Sequence, residues 1–206
     1  MSTASVSNRT GTSRIEPCGD LVTGLPCVIM LREGGCREPH VTMASLGEDH
    51  GSQDGPSSNA PCTYRVRPLQ PVDLDGISRV HWRACRAAYR FMAWSYTQDE
   101  VRHWYAGKLE AWDWGQVVCA EDLVVAYLAA SGAHIDQLFV DPDHQRTGLG
   151  SALLAAMLDR QLRPATLHVF AENGPARAFY ERFGFRQVDA WWDRQDRALN
   201  LLYRLE

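Results

Sequence analysis

From Tyr64 to the end of the chain, apolar residues recur at the periods of strands and helices. Residues 64–67 alternate as a short strand, which Pro68 ends. Apolar residues at helical spacing then predict a long first helix: Leu74, Ile77, Val80, Ala84 and Ala88. A second helix is predicted to begin at Thr97, because Thr97 and Glu100 form a capping box in which each side chain satisfies the other's backbone donor.

The rest of the pattern predicts three strands, a helix, a strand, another helix and two final strands. Their approximate ranges are 117–120, 123–129, 135–140, 148–160, 166–170, 175–183, 185–188 and 199–205. The helix over 175–183 carries Pro175 in its first turn and Gly184 just past its end, where both residues are favoured. The order β-α-α-β-β-β-α-β-α-β-β predicts one mixed α/β domain.

Residues 1–62 differ in texture from the rest. They are rich in Ser, Thr, Gly and Pro, contain no Trp, Tyr or Phe, and show no sustained period. Such a segment cannot bury enough apolar surface to offset the entropy of ordering it. The sequence therefore predicts a disordered N-terminal tail over residues 1–62 and a folded domain over residues 63–206.

Charge and cysteine usage narrow the function classes. The net charge is −4 and the basic residues are scattered, so no nucleic-acid or membrane partner is expected. The six cysteines form no Cys-x-x-Cys pair and no cluster with zinc spacing, so no metal is expected. Neither a signal peptide nor an apolar run of membrane-spanning length is evident, and a cytoplasmic location is expected.

The most informative segment is the loop that follows the strand over 135–140. Asp141-Pro142 ends the strand, and residues 145–150, Gln-Arg-Thr-Gly-Leu-Gly, lead into a helix. Two glycines at a helix start leave backbone N–H groups unpaired and let an anion approach them, and the helix dipole favours negative charge there. Arg146 adds a cation suited to phosphate oxygens. The segment predicts a pyrophosphate site, but it lacks the lysine of a P-loop and the third glycine of a Rossmann loop.

Residues 145–150 resemble the Gln/Arg-x-x-Gly-x-Gly/Ala acyl-CoA loop of the GCN5-related N-acetyltransferase (GNAT) family. A second block, residues 173–180 followed by Gly184-Phe185, is similar to the Asn-x-x-Ala-x-x-Phe-Tyr…Gly-Phe signature of that family's next helix. Both blocks stand in the family's order and separation, and the predicted element order matches from Tyr64 onward. The resemblance implies a GNAT-type α/β fold with a mixed, mostly antiparallel sheet, splayed central strands and flanking helices.

The resemblance also implies an acetyl-CoA-dependent enzyme that passes acetyl directly to a primary amine in a ternary complex. The residues that it implies for acetyl-CoA binding are Leu138, Phe139 and Val140 on the strand, Gln145, Arg146, Thr147, Gly148, Leu149, Gly150 and Ser151 around the pyrophosphate, and Asn173, Ala176 and Phe179 beyond. A backbone N–H near Phe139 would hold the oxyanion, and Asn173 would bond the pantetheine or the neighbouring backbone. Tyr180 would protonate the departing thiolate, the alternative being an aromatic side chain that only packs beside Phe179.

The residue that takes the proton from the amine is left open. His134 and Asp136 are candidates, because strand alternation places residues 134, 136, 138 and 140 on one face. His134 titrates in a useful range, whereas Asp136 would need a raised pKa or a water relay. Many relatives use a glutamate on this strand, which this chain lacks. Glu172 is a third candidate, and many such enzymes work without a dedicated base.

The resemblance places the acceptor between the first two helices and the loop joining the last two strands. Aromatic residues crowd both regions: Tyr89, Phe91, Trp94, Tyr96, Trp104, Tyr105, Trp112 and Trp114 in the first, Trp191 and Trp192 in the second. Most of them are expected in the core or in dimer contacts, which leaves a homodimer open, and some could surround a cationic amine. Asp193 and Asp196 could neutralise such an amine. The acceptor itself is not predicted.

Two other functions compete with the enzyme. One is a non-catalytic acyl-CoA-binding regulatory module on the same fold, because a fold does not fix a function. The other is a toxin that acetylates charged tRNA, which would need a basic surface that the near-neutral charge of the domain does not favour.

Overall fold

The computed structural model describes residues 63–92, 94–194 and 196–206 of the chain. Its strands are β1 Tyr64–Pro68, β2 Trp114–Ala120, β3 Leu123–Ser131, β4 His134–Val140, β5 Ala165–Phe170, β6 Arg186–Asp193 and β7 Ala198–Leu205. Its helices are α1 Leu74–Ala88, α2 Gln98–Ala106, α3 Leu149–Leu158 and α4 Gly174–Arg182. This order of strands and helices agrees with the predicted one. The predicted tail over residues 1–62 lies outside the described residues.

The seven strands form one sheet in the order β1-β2-β3-β4-β5-β7-β6. Every neighbouring pair is antiparallel except β4 and β5, which are parallel. Their pairing covers only His134 with Thr166 and Ile135 with Leu167. Beyond these residues the two strands open into a gap, which lies between residues 136–140 of β4 and 168–170 of β5. The expected mixed, mostly antiparallel sheet with splayed central strands is therefore confirmed.

Helices cover both faces of the sheet. On one face, called the α1 face, the ring of His81 in α1 lies 4.3 Å from the ring of Phe139. On the other, called the α3 face, Gly150 of α3 approaches Val140 and Phe179 of α4. The residues between these layers are fully buried, among them Leu128 and Ile135. The gap therefore opens between two packed layers.

Two helix boundaries follow the signals read from the sequence. The Thr97 side chain accepts a hydrogen bond from the Glu100 N–H at 3.2 Å, and the Thr97 N–H donates to the Glu100 carboxylate at 2.8 Å. The predicted capping box of α2 is thus confirmed. At α4, Pro175 occupies the first turn, and Gly184 follows the helix with a φ of 89°.

The prediction for the last two strands is wrong in one respect. Trp191 and Trp192 were expected in the loop that joins them, but both residues lie on β6, which runs to Asp193. β6 is an edge strand, which among the described strands pairs only with β7, and nearly all of its side chains are exposed. Backbone hydrogen bonds to β7 hold β6 extended although neither of its faces is buried. Its sequence therefore shows little of the alternation of apolar and polar residues that marks a half-buried strand.

A β-bulge overturns the expected alternation on β4. Gln137 pairs with Ala129 and Ile135 pairs with Ala130, which leaves Asp136 as an extra residue in β4. An extra residue reverses the alternation of the side chains that precede it. His134 therefore shares the α1 face with Phe139, whereas Leu138 and Val140 point to the α3 face. The assignment of residues 134, 136, 138 and 140 to one face is wrong.

Candidate active site

The loop between β4 and α3 is held in place by side-chain contacts. Arg83 of α1 donates to the Asp143 carboxylate at 2.8 Å and lies 3.4 Å from that of Asp141. Gln145 Nε2 donates to the carbonyl of Val140 at 3.1 Å, so the loop closes back onto the end of β4. The Thr147 hydroxyl donates to the carbonyl of His144 at 2.6 Å. The segment that leads into α3 is therefore preorganised.

The N-terminus of α3 has the properties of an anion site. Gly148 is its N-cap residue, with a φ of 82°, and makes no side-chain cap. The first N–H groups of a helix have no intrahelical partner, so those after Gly148 point out of the helix. Arg146, which is exposed, precedes them with a φ of 64°. The structure thus brings the predicted residues of the loop together around a helix end that suits a phosphate.

The edge of β4 that faces the gap is the second part of the site. The Asp141 N–H donates to the Val125 carbonyl at 2.8 Å, and Phe139 lies opposite Tyr127. In an antiparallel pair, alternate residues turn their backbone groups to the partner strand. The backbone of Phe139 therefore faces β3, and those of Leu138 and Val140 face the gap. An extended ligand lying in the gap could pair with these two residues.

Helix α4 supplies the predicted residues on the α3 face. The Asn173 side chain accepts a hydrogen bond from the Ala176 N–H at 3.1 Å and so caps the helix. This is the contact with the neighbouring backbone that was one of its two predicted roles. Tyr180 is fully buried, with its ring 5.4 Å from that of Phe179 and 5.7 Å from that of Phe185.

Polar side chains gather where the gap begins. His134 Nδ1 is hydrogen-bonded to the Thr166 hydroxyl at 2.8 Å, and the His134 ring lies 4.9 Å from the ring of His168. The other side of His168 meets the ring of Trp191, also at 4.9 Å. Asp136 lies beside them, and its Oδ2 atom is buried with no hydrogen-bond partner in the described residues. His134, Asp136, Thr166 and His168 are called the apex cluster below.

Burial dominates the pKa values in the apex cluster. It lowers the pKa of His134 and raises the pKa of Asp136. Hydrogen bonds from Ser131 and the charge of Lys108 oppose the increase at Asp136. Burial and His134 together lower the pKa of His168 to about 4, against the opposite effect of Asp136. At neutral pH both imidazoles are therefore uncharged.

A buried polar network supports Phe139 from the α1 face. The Tyr105 hydroxyl donates to Gln137 Oε1 at 3.0 Å and is hydrogen-bonded to both His81 Nδ1 and the Tyr127 hydroxyl. Since Tyr105 has a single hydroxyl proton, His81 Nδ1 must be the donor in its bond. Burial lowers the pKa of His81 to about 3, so this imidazole is neutral. The network fixes the strand beside the gap.

The aromatic residues predicted for the acceptor region fall into two groups. Tyr89 and Phe91, after α1, contact Phe170 at the end of β5, with ring separations of 5.5 and 6.0 Å. Trp191 reaches the apex cluster, whereas Trp192 is 59% exposed and points away from the core. The pKa of Asp196 is raised to about 6 by burial and by the charge of Asp193.

Sequence reasoning missed His168. It lies on the α1 face of β5, two residues after Thr166, and the parallel pairing of Thr166 with His134 brings the two imidazoles together. His168 itself could have been noticed in the predicted strand over residues 166–170. That it lies beside His134 depends on the register between β4 and β5, which the sequence does not show. Glu172, the third candidate base, is exposed in the turn after β5 and is not part of the apex cluster.

Two negative observations apply to the described part of the chain. No three side chains of His, Cys, Asp or Glu are grouped there in a way that could hold a metal ion. None of the helices there is long and apolar enough to cross a membrane.

Comparison with known proteins gives consistent matches. Residues 102–187 match a family model described as the acetyltransferase (GNAT) domain. The [ribosomal protein bS18]-alanine N-acetyltransferase of Escherichia coli K12 is 34% identical over 131 residues, which cover 60% of this chain and 81% of that protein. A mycothiol acetyltransferase of Clavibacter michiganensis is 45% identical over 76 residues, which cover 35% of this chain and 22% of that protein. The second match thus spans less than a quarter of the relative's length.

A solved structure shares the fold. The apo form of YjaB from Escherichia coli superimposes with a TM-score of 0.58 over 69% of this chain and 97% of its own, at 23% sequence identity. At this identity the likeness concerns the fold.

Proposed function

Because this chain belongs to the GCN5-related N-acetyltransferase (GNAT) family, we propose that it transfers acetyl from acetyl-CoA to a primary amine by direct attack in a ternary complex. The observation that carries the proposal is the continuity of two binding surfaces. The anion-binding end of α3 adjoins the β4 edge that faces the gap, so one extended ligand with a phosphate end fits both. Acetyl-CoA has that form.

The binding of acetyl-CoA follows from the two surfaces. The N–H groups after Gly148, together with Arg146, hold the pyrophosphate. The pantetheine arm lies in the gap and pairs with the backbone of Leu138 and Val140 as an added strand would. Val140 and Phe179 line the α3 face of this path, and Asn173 keeps the start of α4 in place.

The chemistry needs two further contributions from the chain. Negative charge develops on the thioester oxygen as the amine attacks, and a backbone N–H of the β4 edge beside Phe139 stabilises it. The departing thiolate needs a proton, which the Tyr180 hydroxyl supplies from the α3 face. The amine enters from the α1 face, where Tyr89, Phe91 and the apex cluster surround the opening.

The acceptor is proposed as a class only. One named relative is a mycothiol acetyltransferase, and the other is an N-acetyltransferase of an alanine of ribosomal protein bS18, as their names state. What the two reactions share with this site is acetyl transfer, so we propose a primary amine on a small molecule or a peptide. We also propose that the protein works in the cytoplasm, where Cys85 and Cys119, both buried and free, stay reduced.

Calorimetric titration with acetyl-CoA tests the binding site. Gly148→Glu should abolish binding, because it places a side chain and a negative charge where the phosphate belongs. Gly132→Glu is the matched control: Gly132 also has a positive φ, 59°, and no atom of the residues that the structure describes lies within 4 Å of the place that a Cβ atom would take there. It adds the same charge and a similar backbone cost at the other end of β4. Unchanged affinity in Gly148→Glu would refute the phosphate site.

A second measurement separates the enzyme from the competing function. A non-catalytic regulatory module would bind acetyl-CoA but would not acetylate any amine. Release of free CoA with a panel of amines, followed by mass spectrometry of the products, distinguishes the two. Binding without transfer to any member of the panel would favour the regulatory module.

A further inference from the structure

The apex cluster contains a histidine that the family signatures do not include. We propose that His168 is the catalytic residue that accepts the proton of the acceptor amine, and that Asp136 stabilises the imidazolium so formed. This inference rests on the proposed function and deepens it, because it assigns the proton acceptor that the sequence left open.

The position of His168 in the sheet is the first argument. The pairing of β4 with β5 ends at Ile135 and Leu167, so Asp136 and His168 are the first residues beyond it on their strands. They stand at the closed end of the gap, while the anion-binding end of α3 lies at its open end. A ligand that enters from α3 and runs along β4 therefore presents its reacting end toward these two residues.

The second argument is the face of the sheet. His168 shares the α1 face with Phe170, which contacts Tyr89 and Phe91 near the acceptor entrance. Tyr180 lies on the α3 face. The nitrogen and the sulfur are different substituents of the tetrahedral carbon that forms, so the group that takes the proton of the amine and the group that protonates the thiolate need separate positions. A proton acceptor on the α1 face and a donor on the α3 face occupy separate positions.

The third argument compares the members of the cluster. His134 belongs to the paired segment, and its Nδ1 is held by Thr166 at 2.8 Å. No hydrogen bond within the described chain holds either ring nitrogen of His168, which is half-buried between His134 and Trp191. Asp136 has a buried carboxylate oxygen without a hydrogen-bond partner there. His168 is thus the imidazole available to a substrate, and the Asp136 carboxylate is the group available to stabilise that imidazole.

Two groups of β4 act on the charge of His168 in opposite directions. His134 opposes a positive charge there and Asp136 favours it, while Trp191 of β6 is uncharged and Lys108 acts on Asp136. Burial keeps the imidazole neutral at neutral pH, so a lone pair is present before the substrate binds. When the imidazolium forms, the Asp136 carboxylate is the group that opposes its burial cost.

The proposed reaction balances as follows. The amine nitrogen forms a bond to the thioester carbonyl carbon, and the bond from that carbon to sulfur breaks. Before the attack, the protonated amine gives one proton to His168, which later releases it to water. After the attack, the nitrogen loses its second proton through water to Tyr180, which has given its own proton to the departing thiolate, so an amide and free CoA remain.

Two small amines provide the test. Ethylamine is protonated at neutral pH and needs a proton acceptor, whereas methoxyamine is unprotonated and needs one far less. His168→Gln should lower kcat/KM for ethylamine by ~10²-fold or more while leaving transfer to methoxyamine nearly unchanged. Asp136→Asn should lower the ethylamine rate by roughly tenfold, the effect of one pKa unit, with the same selectivity. Imidazole in the buffer should restore ethylamine transfer to His168→Gly.

The controls separate the failure of this inference from that of the proposed function. Transfer to methoxyamine reports that each variant folds and uses acetyl-CoA. His134→Gln removes the other imidazole of the cluster and should affect ethylamine less than His168→Gln does. Equal loss with both amines, or a larger loss in His134→Gln, would overturn the role of His168 alone. Transfer to neither amine by the unaltered protein would overturn the proposed function and this inference with it.

Discussion

At the scale of single residues, the Tyr180 hydroxyl carries the acid step of the proposed reaction. Tyr180→Phe removes that oxygen and keeps the ring that packs between Phe179 and Phe185. We expect kcat to fall by ~10²-fold or more, because the thiolate must then leave without a proton donor. The affinity for acetyl-CoA, measured by calorimetry, should stay nearly the same.

The chain offers a matched control for this substitution. Tyr203 is also buried beside α4, and its hydroxyl is bonded to Arg177 and Glu181. Tyr203→Phe therefore removes a hydroxyl under the same helix without touching the gap, and kcat should hardly change. If Tyr180→Phe leaves kcat as high as Tyr203→Phe does, Tyr180 only packs.

His81 makes the stability of the fold depend on pH. Burial lowers its pKa from an ordinary value of 6.5 to about 3. Between these pH values the unfolded chain binds a proton that the folded chain does not, so the free energy of unfolding falls as the pH falls. The contribution is about 1.4 kcal/mol for each pH unit below 6.5. A proton on Nε2 is costly because that atom is buried without a hydrogen-bond partner in the described residues.

Urea unfolding of the parent protein and of the His81→Leu variant at pH 7, 6 and 5 measures this dependence. The variant lacks the titrating group and also the bond to Tyr105, so we expect it to be less stable than the parent at pH 7. The difference between the two proteins should shrink as the pH falls, because only the parent loses the contribution of His81. His134 and His168 are present in both proteins, so their contributions to the pH dependence cancel. Parallel pH profiles would contradict the assignment of the dependence to His81.

At the scale of elements, an ion pair joins β1 to the start of α1. The guanidinium of Arg67 donates to both carboxylate oxygens of Asp73, at 2.6 and 2.7 Å, and Asp73 is 4% exposed. The Gln70 N–H also donates to this carboxylate at 2.9 Å. Hydrogen bonds from Arg67 and Gln70 hold the pKa of Asp73 below its usual value against burial.

Removing the arginine should therefore leave a buried carboxylate without its partner. We expect Arg67→Met to lower the free energy of unfolding by about 3 kcal/mol, as measured in urea. The double variant Arg67→Met/Asp73→Asn removes the unpaired charge as well and should recover part of that loss. A double variant less stable than the single one would show that the charge is not the cause.

Local signals in the sequence predicted most of these elements. The capping box of α2 and the proline and glycine at the ends of α4 act through neighbours along the chain, so they can be recognised without the fold. β2 begins at Trp114, three residues before the predicted start. The prediction began too late because Gly115 and Gln116 interrupt the apolar run of the strand. β6 was predicted too short because it is an edge strand whose exposed side chains need no regular pattern.

The candidate site was predictable where it is continuous in sequence. The loop over residues 145–150 and the start of α4 each hold their residues together in one segment, and the structure places both segments around the gap. The apex cluster instead depends on the bulge at Asp136 and on the register between β4 and β5. Both arise from pairing between distant strands, so the sequence could suggest His134 and Asp136 but could not place His168 beside them.

At the scale of the whole molecule, the gap divides the proposed reaction between the two layers of helices. The α3 face supplies the phosphate site and Tyr180, and the α1 face supplies the acceptor entrance and His168. The buried network of His81 and Tyr105 lies behind Phe139 on the acceptor side. In the proposed reaction each layer thus has its own chemical role: one binds acetyl-CoA and the other admits the acceptor.

The same arrangement of helices and sheet supports a division of the chain into residues 1–62 and a folded domain. We propose that residues 63–206 fold as a complete unit, because this sheet has helices on both faces and a continuous buried core within that range. Deleting residues 1–62 should then shift the Tm by no more than about 2 °C, which in a domain of this size is the effect of about 1 kcal/mol or less. The affinity for acetyl-CoA should also be retained. Scanning calorimetry of the two chains, with and without acetyl-CoA, measures both quantities. A large loss of Tm would mean that residues 1–62 pack against the domain, and a loss of affinity alone would mean that they contribute to the cofactor site.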